Sequence, residues 1–270
     1  MLRVLRSSAP RFLTKARRRT ISPFAPPPPP RFSSARYIDD IAAPFQKIQI
    51  PRDMKTSTFD GYLVGEHDAP GIVLLQDWFG VDYHVKNHAL RISQLGRGFK
   101  VLIPDMYGGN YGQQLFYGID WDEALMKLDS STTWLQNNGS KKVGVTGFGM
   151  GGALAIAGSI RFPPSFDAIV SFHGAPPRQD DPSYASAPVQ AHFGELDDFV
   201  GFSDVKTAKE LEENFKESEY PYEVHIYPGK GHAFMDSMIL PDEDDAEVQL
   251  AWSRFKEWMA RYLYSDHDCC

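Results

Sequence analysis

The stretch Lys141–Ile160 reads KKVGVTGFGMGGALAIAGSI. A β-branched run from Val143 to Thr146 breaks into glycines at Gly147, Gly149, Gly151 and Gly152, and small apolar residues follow from Ala153 to Ala157. A short apolar run, a glycine break and a small-residue run predict a buried strand, a tight turn and a buried helix. Two kinds of chemistry use that unit. One hangs a nucleophilic side chain on the turn. The other lays a pyrophosphate on the helix N-terminus through G-x-G-x-x-G, which Gly147, Gly149 and Gly152 satisfy literally.

On either side of this unit the chain alternates. Strand-like runs lie near Lys47–Ile50, Tyr62–Glu66, Ile72–Leu75, Lys100–Ile103, Val143–Thr146, Ala168–Phe172, Val189–Phe193 and Tyr222–Tyr227. Helical periodicity falls between them. Val85, Ala89, Ile92 and Leu95 share a face of 82–97; Leu125, Leu128 and Leu135 share one of 120–137, which Asn138-Gly139 should stop; Val205, Ala208, Leu211 and Phe215 line a third helix. A last helix, lined by Val248, Trp252, Phe255, Met259 and Tyr262, should start within Asp242–Asp245 and carry Arg261 near its end, as the helix dipole prefers. Short apolar strands alternating with helices predict an α/β fold with a mostly parallel sheet of about eight strands, covered on both faces.

The 270 residues suit one large domain, and no apolar run approaches a membrane span. The formal charge of −7 is unevenly spread: residues 1–36 hold nine Lys/Arg and no Asp/Glu, which leaves −16 for the remainder. So acidic a body argues against nucleic-acid or anionic-membrane partners. Residues 1–36, basic, acid-free and ending in the Pro26–Pro30 tract, have the composition of an organelle transit peptide and linker, with the arginine weighting favouring the mitochondrial matrix over a plastid. That places one folded domain at 37–264 and a tail at 265–270. Both cysteines, Cys269 and Cys270, lie in the tail, so the domain has no disulfide, zinc cluster or cysteine nucleophile of its own.

In such sheets ligands collect beyond the carboxyl ends of the strands. The residues found there are Gln76-Asp77-Trp78-Phe79-Gly80, then Pro104-Asp105-Met106-Tyr107, the glycine turn, His173-Gly174, Gly194-Glu195-Leu196-Asp197-Asp198-Phe199-Val200, and Gly231-His232-Ala233-Phe234. Turn, then acid, then histidine, each after a later strand, is the chain order of α/β-hydrolase triads. His232 would be the general base and Asp197 the group that fixes its tautomer. Asp198 and Glu195 are expected to be solvated neighbours, with Asp198 the fallback acid. His84 and His88 stand at i, i+4, but Val85 replaces the glutamate a zinc-protease motif requires, so a solvated helix face is expected and no metal site.

Together these pieces resemble the dienelactone hydrolase family, in family order across nearly all of residues 45–264. The resemblance implies an α/β-hydrolase fold without a large cap, no cofactor, and hydrolysis of a small-molecule ester or lactone by a cysteine on the turn. It also implies that the backbone amides of Met150 and Trp78 form the oxyanion hole, with Asp77 and Tyr107 in the pocket; His173, at the end of its strand, either lines the same pocket or packs as a loop histidine. The chain departs from the family at the decisive position, where Gly149 stands for the nucleophile. Asp77 stands for a glutamate one methylene longer, and the family's two substrate-binding arginines fall at Gly109 and Asp236. Glycine at a strained elbow relieves rather than harms the backbone, so the fold is expected to survive the loss. Three readings follow. The first and favoured one is a degenerate hydrolase that binds a ligand or serves a structural role beside a protein partner. The second is an active hydrolase whose His232–Asp197 pair activates water. The third, remote, is a dinucleotide-binding oxidoreductase; the acid expected at the end of the next strand is absent, Asp167 lying at that strand's start.

Overall fold

The computed structural model describes residues 44–52, 57–112, 118–161, 165–236 and 245–264. The basic segment 1–36, most of the Asp242–Asp245 run and the tail with Cys269-Cys270 lie outside these residues.

Eight strands form one sheet: β1 (Gln46–Pro51), β2 (Thr58–Val64), β3 (Gly71–Leu75), β4 (Lys100–Pro104), β5 (Val143–Phe148), β6 (Ala168–Phe172), β7 (Val189–Gly194) and β8 (Tyr222–Tyr227). Their order is β1-β2-β4-β3-β5-β6-β7-β8. β1 pairs antiparallel with β2, and β2 with β4, while β4, β3 and β5 to β8 run parallel. β2 starts four residues before its predicted start because Thr58 to Asp60 pair back onto Pro51 to Gln49. It stops at Val64 because Gly65 takes a φ of 104°, a left-handed conformation that breaks the ladder.

Alternation along the strands sorts the core into two layers. Val73 and Leu75 of β3 face a layer built with α2 (Trp121–Asn137), α3 (Met150–Arg161) and α4 (Val205–Phe215), through Leu125, Leu128, Leu154, Ile156 and Leu211. Ile72 and Leu74 face the opposite layer, built with α1 (Tyr83–Gln94) and α5 (Ala246–Leu263), through Val85, Ile92, Trp252 and Phe255. Three helices start on an aspartate that accepts from the first turn: Asp82 from Val85 N–H, Asp120 from Glu123 N–H, and Asp245 from Glu247 and Val248 N–H. The α2 stop falls as predicted, with Asn138 as the cap.

The topology sets the site. β3 lies between β4 and β5, so the chain leaves β3 for one neighbour and returns to the other. The crevice at that reversal opens beyond the carboxyl ends of β3 and β5, where Asp77 and Gly149 emerge.

Candidate active site

The loop after β3 is held from below. Tyr107, which follows β4, is buried and donates its hydroxyl to the Gln76 carbonyl (3.2 Å), while its own N–H donates to Asp105 Oδ1 (3.1 Å). Tyr107 therefore supports the backbone that presents Asp77. On the other side of the crevice, Gly149 joins β5 to α3 with a φ of 53°; its N–H donates to the Phe172 carbonyl (3.0 Å) and its carbonyl accepts from Ala153 N–H (3.1 Å). A side chain at that φ would be strained by about 1–3 kcal/mol, so glycine is the relaxed choice.

The space a side chain at Gly149 would need is occupied by Asp77. A Cβ added there would lie 2.6 Å from Asp77 Cγ and 2.8 Å from Oδ1, with Oδ2 nearer still. Oδ1 accepts from the backbone N–H of Trp78 (2.8 Å) and of Met150 (3.0 Å). These are the two donors predicted for the oxyanion hole, and both point at one carboxylate oxygen. Burial pushes the Asp77 acid up to about 7, against the two amide bonds that pull it down; Asp236 nearby adds to the rise and His232 opposes it. The Met150 amide at the head of α3 is also the group a pyrophosphate would take. The Asp77 side chain already takes that amide, which counts against the dinucleotide reading.

His232 and Asp197 come together from the loops after β8 and β7. The Nδ1 of His232 lies 2.8 Å from Asp197 Oδ2 and 3.1 Å from the Ser203 hydroxyl. A carboxylate only accepts, so Nδ1 carries the proton toward Asp197 and Nε2 is left as the base. Asp197 is fully buried and also accepts from Phe199 N–H (3.0 Å), whereas Glu195 and Asp198 are exposed. Burial alone would lower the His232 pKa, but the Asp197 bond and the charges of Asp197, Asp77 and Asp236 leave it raised. Burial would likewise raise Asp197, and the bonds from His232, Phe199 and Ser203 bring it below the usual carboxylate range. The edges of His173 (5.3 Å between centroids) and Phe199 (5.6 Å) fix the His232 ring plane.

His173 sits at the end of β6 with a φ of 40°, its N–H donating to the His192 carbonyl (2.8 Å). It is fully buried, and burial pushes it down to about 4, so it is neutral near pH 7. Among the described residues neither ring nitrogen has a hydrogen-bond partner, and Asp236 Oδ2 stands 3.9 Å from Nε2. It braces His232 from beneath.

Two features differ from, or were absent in, the sequence reading. His88 is not on a solvated face. It is buried, stacked on Phe148 (4.0 Å, 10°), and its Nε2 lies 3.1 Å from Asp236 Oδ1. The apolar register of α1 explains this, since 88 falls with 85, 89 and 92 at i, i+3, i+4 and i+7. His84, half-buried on the next turn, also draws the Asp236 acid down, although among the described residues no cluster of three metal-ligating side chains forms. Ser203, the second partner of His232, had no sequence signal: a lone serine in a loop is unmarked until the fold closes. At Asp236, where the family resemblance places a substrate-binding arginine, an acid now pairs with histidines.

A family model described as "Dienelactone hydrolase family" matches residues 59–263. The chain is 29% identical over 213 residues to "Protein usf" of Aquifex pyrophilus, covering 72% of this chain and 89% of that one. Its fold is similar to that of a dienelactone hydrolase from Anabaena variabilis, with a TM-score of 0.61 at 20% identity, covering 82% of this chain and 100% of that one. It is similar also to a thermophilic esterase of Thermogutta terrifontis solved with propionate bound, with a TM-score of 0.61 at 14% identity, covering 81% and 94%. With the α/β sheet, the strand-end loops and the matched residues all in family order, the chain belongs to the dienelactone hydrolase family.

Proposed function

We propose that this protein hydrolyses a small carboxylic ester or lactone with His232 as general base, oriented by Asp197, and that Gly149 stands at the position of the family's nucleophile, so that the turn itself supplies no attacking atom. The observation that carries this reading is the His232–Asp197 pair at 2.8 Å, flanked by the rings of His173 and Phe199, which takes up Nδ1 and leaves Nε2 as the base. A purely structural remnant has no use for a half-buried, oriented and tautomer-fixed imidazole, whose pairing with Asp197 costs desolvation to keep. The relatives add support at the level of substrate class, one solved as a dienelactone hydrolase and another as an esterase.

A second reading, a site that binds its ligand without turnover, draws on the Asp77 carboxylate held by the Trp78 and Met150 amides. Ester hydrolysis assays with a small aryl ester and a small lactone decide between the two. Because the base must be neutral, turnover should rise with pH through the raised His232 value, above 6.5, and His232→Ala should lower it by about 10²–10⁴-fold. Turnover indifferent to His232→Ala, or none in the wild type, sinks the hydrolytic reading. We further propose that residues 1–36 direct the chain to mitochondria, on the strength of their basic, acid-free composition.

A further inference from the structure

We propose that Asp77 supplies the attacking atom that Gly149 lacks, and that the site opens its substrate at a saturated carbon, the alkyl side of a small strained lactone or unhindered ester, rather than at the carbonyl. The proposal rests on the hydrolytic reading above and assigns its missing nucleophile.

Three observations converge on Asp77. Its Oδ2 lies nearest to where a Gly149 side chain would begin, in the place of an elbow nucleophile, and makes no hydrogen bond among the described residues. The residue is partly exposed. Its Oδ1 is fixed by Trp78 N–H at 2.8 Å and Met150 N–H at 3.0 Å, which leaves Oδ2, the oxygen on the Gly149 side, free of those amides. A partly desolvated carboxylate is a stronger nucleophile than a hydrated one.

The occupied donors select the bond that is attacked. Attack on an ester carbonyl gathers negative charge on the substrate's oxygen, which needs those donors, and here Asp77 already holds both. Attack on a saturated carbon makes no such demand. Oδ2 forms a bond to the alkyl carbon, the carbon–oxygen bond of the lactone breaks, and the electron pair leaves as the ring-opened carboxylate. The donors then act in the second step. His232 takes a proton from water, the hydroxide adds to Asp77 Cγ, and the negative charge collects on Oδ1, where the two amides already point. Collapse expels the alkoxide, which takes the proton back from His232, leaving a free hydroxy acid and the Asp77 carboxylate. Each also feels the other's charge: Asp77 raises the pKa of His232, and His232 lowers that of Asp77.

The test uses the full chain with β-propiolactone in ¹⁸O-labelled water, against an enzyme-free control. After one turnover the peptide bearing Asp77 should gain one ¹⁸O; over many turnovers the label should enter the hydroxyl oxygen of the product and not its carboxyl group. His232→Ala should retain the first step and stall, leaving the Asp77 peptide heavier by one lactone while steady turnover falls by about 10²-fold or more. Asp77→Asn should form no adduct. Label in the product's carboxyl group, with Asp77 unlabelled and unmodified, overturns the proposal and leaves hydrolysis by His232-activated water standing. No turnover above control and no adduct in either protein removes both this proposal and the hydrolytic reading.

Discussion

A single carboxylate carries much of the energetics of the site. Asp77 is pushed up to about 7 mainly by burial, from an ordinary value of 3.8. Because its folded value lies above its unfolded one, the folded chain binds this proton more tightly. Its contribution to stability is therefore present in full below pH 3.8 and is lost as pH rises toward 7, a swing on the order of 2–4 kcal/mol. Asparagine keeps an oxygen for the Trp78 and Met150 amides and carries no charge. Asp77→Asn should therefore melt above the wild type at pH 8, with the difference shrinking toward pH 4; thermal melts across that range check it, and a gap that widens on acidification contradicts the assignment. Residue roles divide sharply in how far the sequence foretold them. That Asp197 and His232 would meet was legible, because both follow the ends of neighbouring parallel strands. That Asp77 would rest on the Trp78 and Met150 amides was not, since it depends on one side-chain rotamer reaching from β3 to α3.

The strand–turn–helix unit shows why the element, more than any single residue, was readable. β5 and α3 follow from pattern alone, and α3 is apolar all round because it packs among the sheet, α2 and the loops. The glycines have separate geometric tasks. A Cβ on Gly151 would lie 2.6 Å from the Leu75 carbonyl carbon and 2.9 Å from the Gln76 oxygen. The first turn of α3 is thus pressed against the end of β3, which is how Met150 N–H comes within reach of Asp77. Gly151→Ala forces backbone from backbone and should cost about 1–3 kcal/mol, together with the Met150–Asp77 bond. Denaturant melts measure the first. For the second, the rise in stability of Asp77→Asn over aspartate at pH 8 should be smaller in the Gly151→Ala background. α1 carries the opposite lesson. Its register placed His88 on the apolar face from the start, but a polar residue on that face becomes interpretable only once Asp236 and the Phe148 ring are seen against it.

At the scale of the molecule, one sheet and two helix layers hold the described residues together. Both layers close within residues 44–264, and no helix among the described residues is long and apolar enough to cross a membrane. A chain cut to residues 37–264 should keep the melting temperature of the full chain, while residues 1–36 fused to a fluorescent protein should carry it to mitochondria; a fall of many degrees, or a diffuse signal, refutes the respective division. The parallel order was legible from strand–helix alternation, but the antiparallel β1–β2 start was not, because an exposed hairpin reads like any other pair of short strands. The contact between Asp77 and the empty side-chain space of Gly149 also bears on substitution at both. The two positions are sterically linked: Gly149→Cys alone would run into the carboxylate, and replacing Asp77 alone would free the space without filling it. The side chain tolerated at either position therefore depends on what stands at the other.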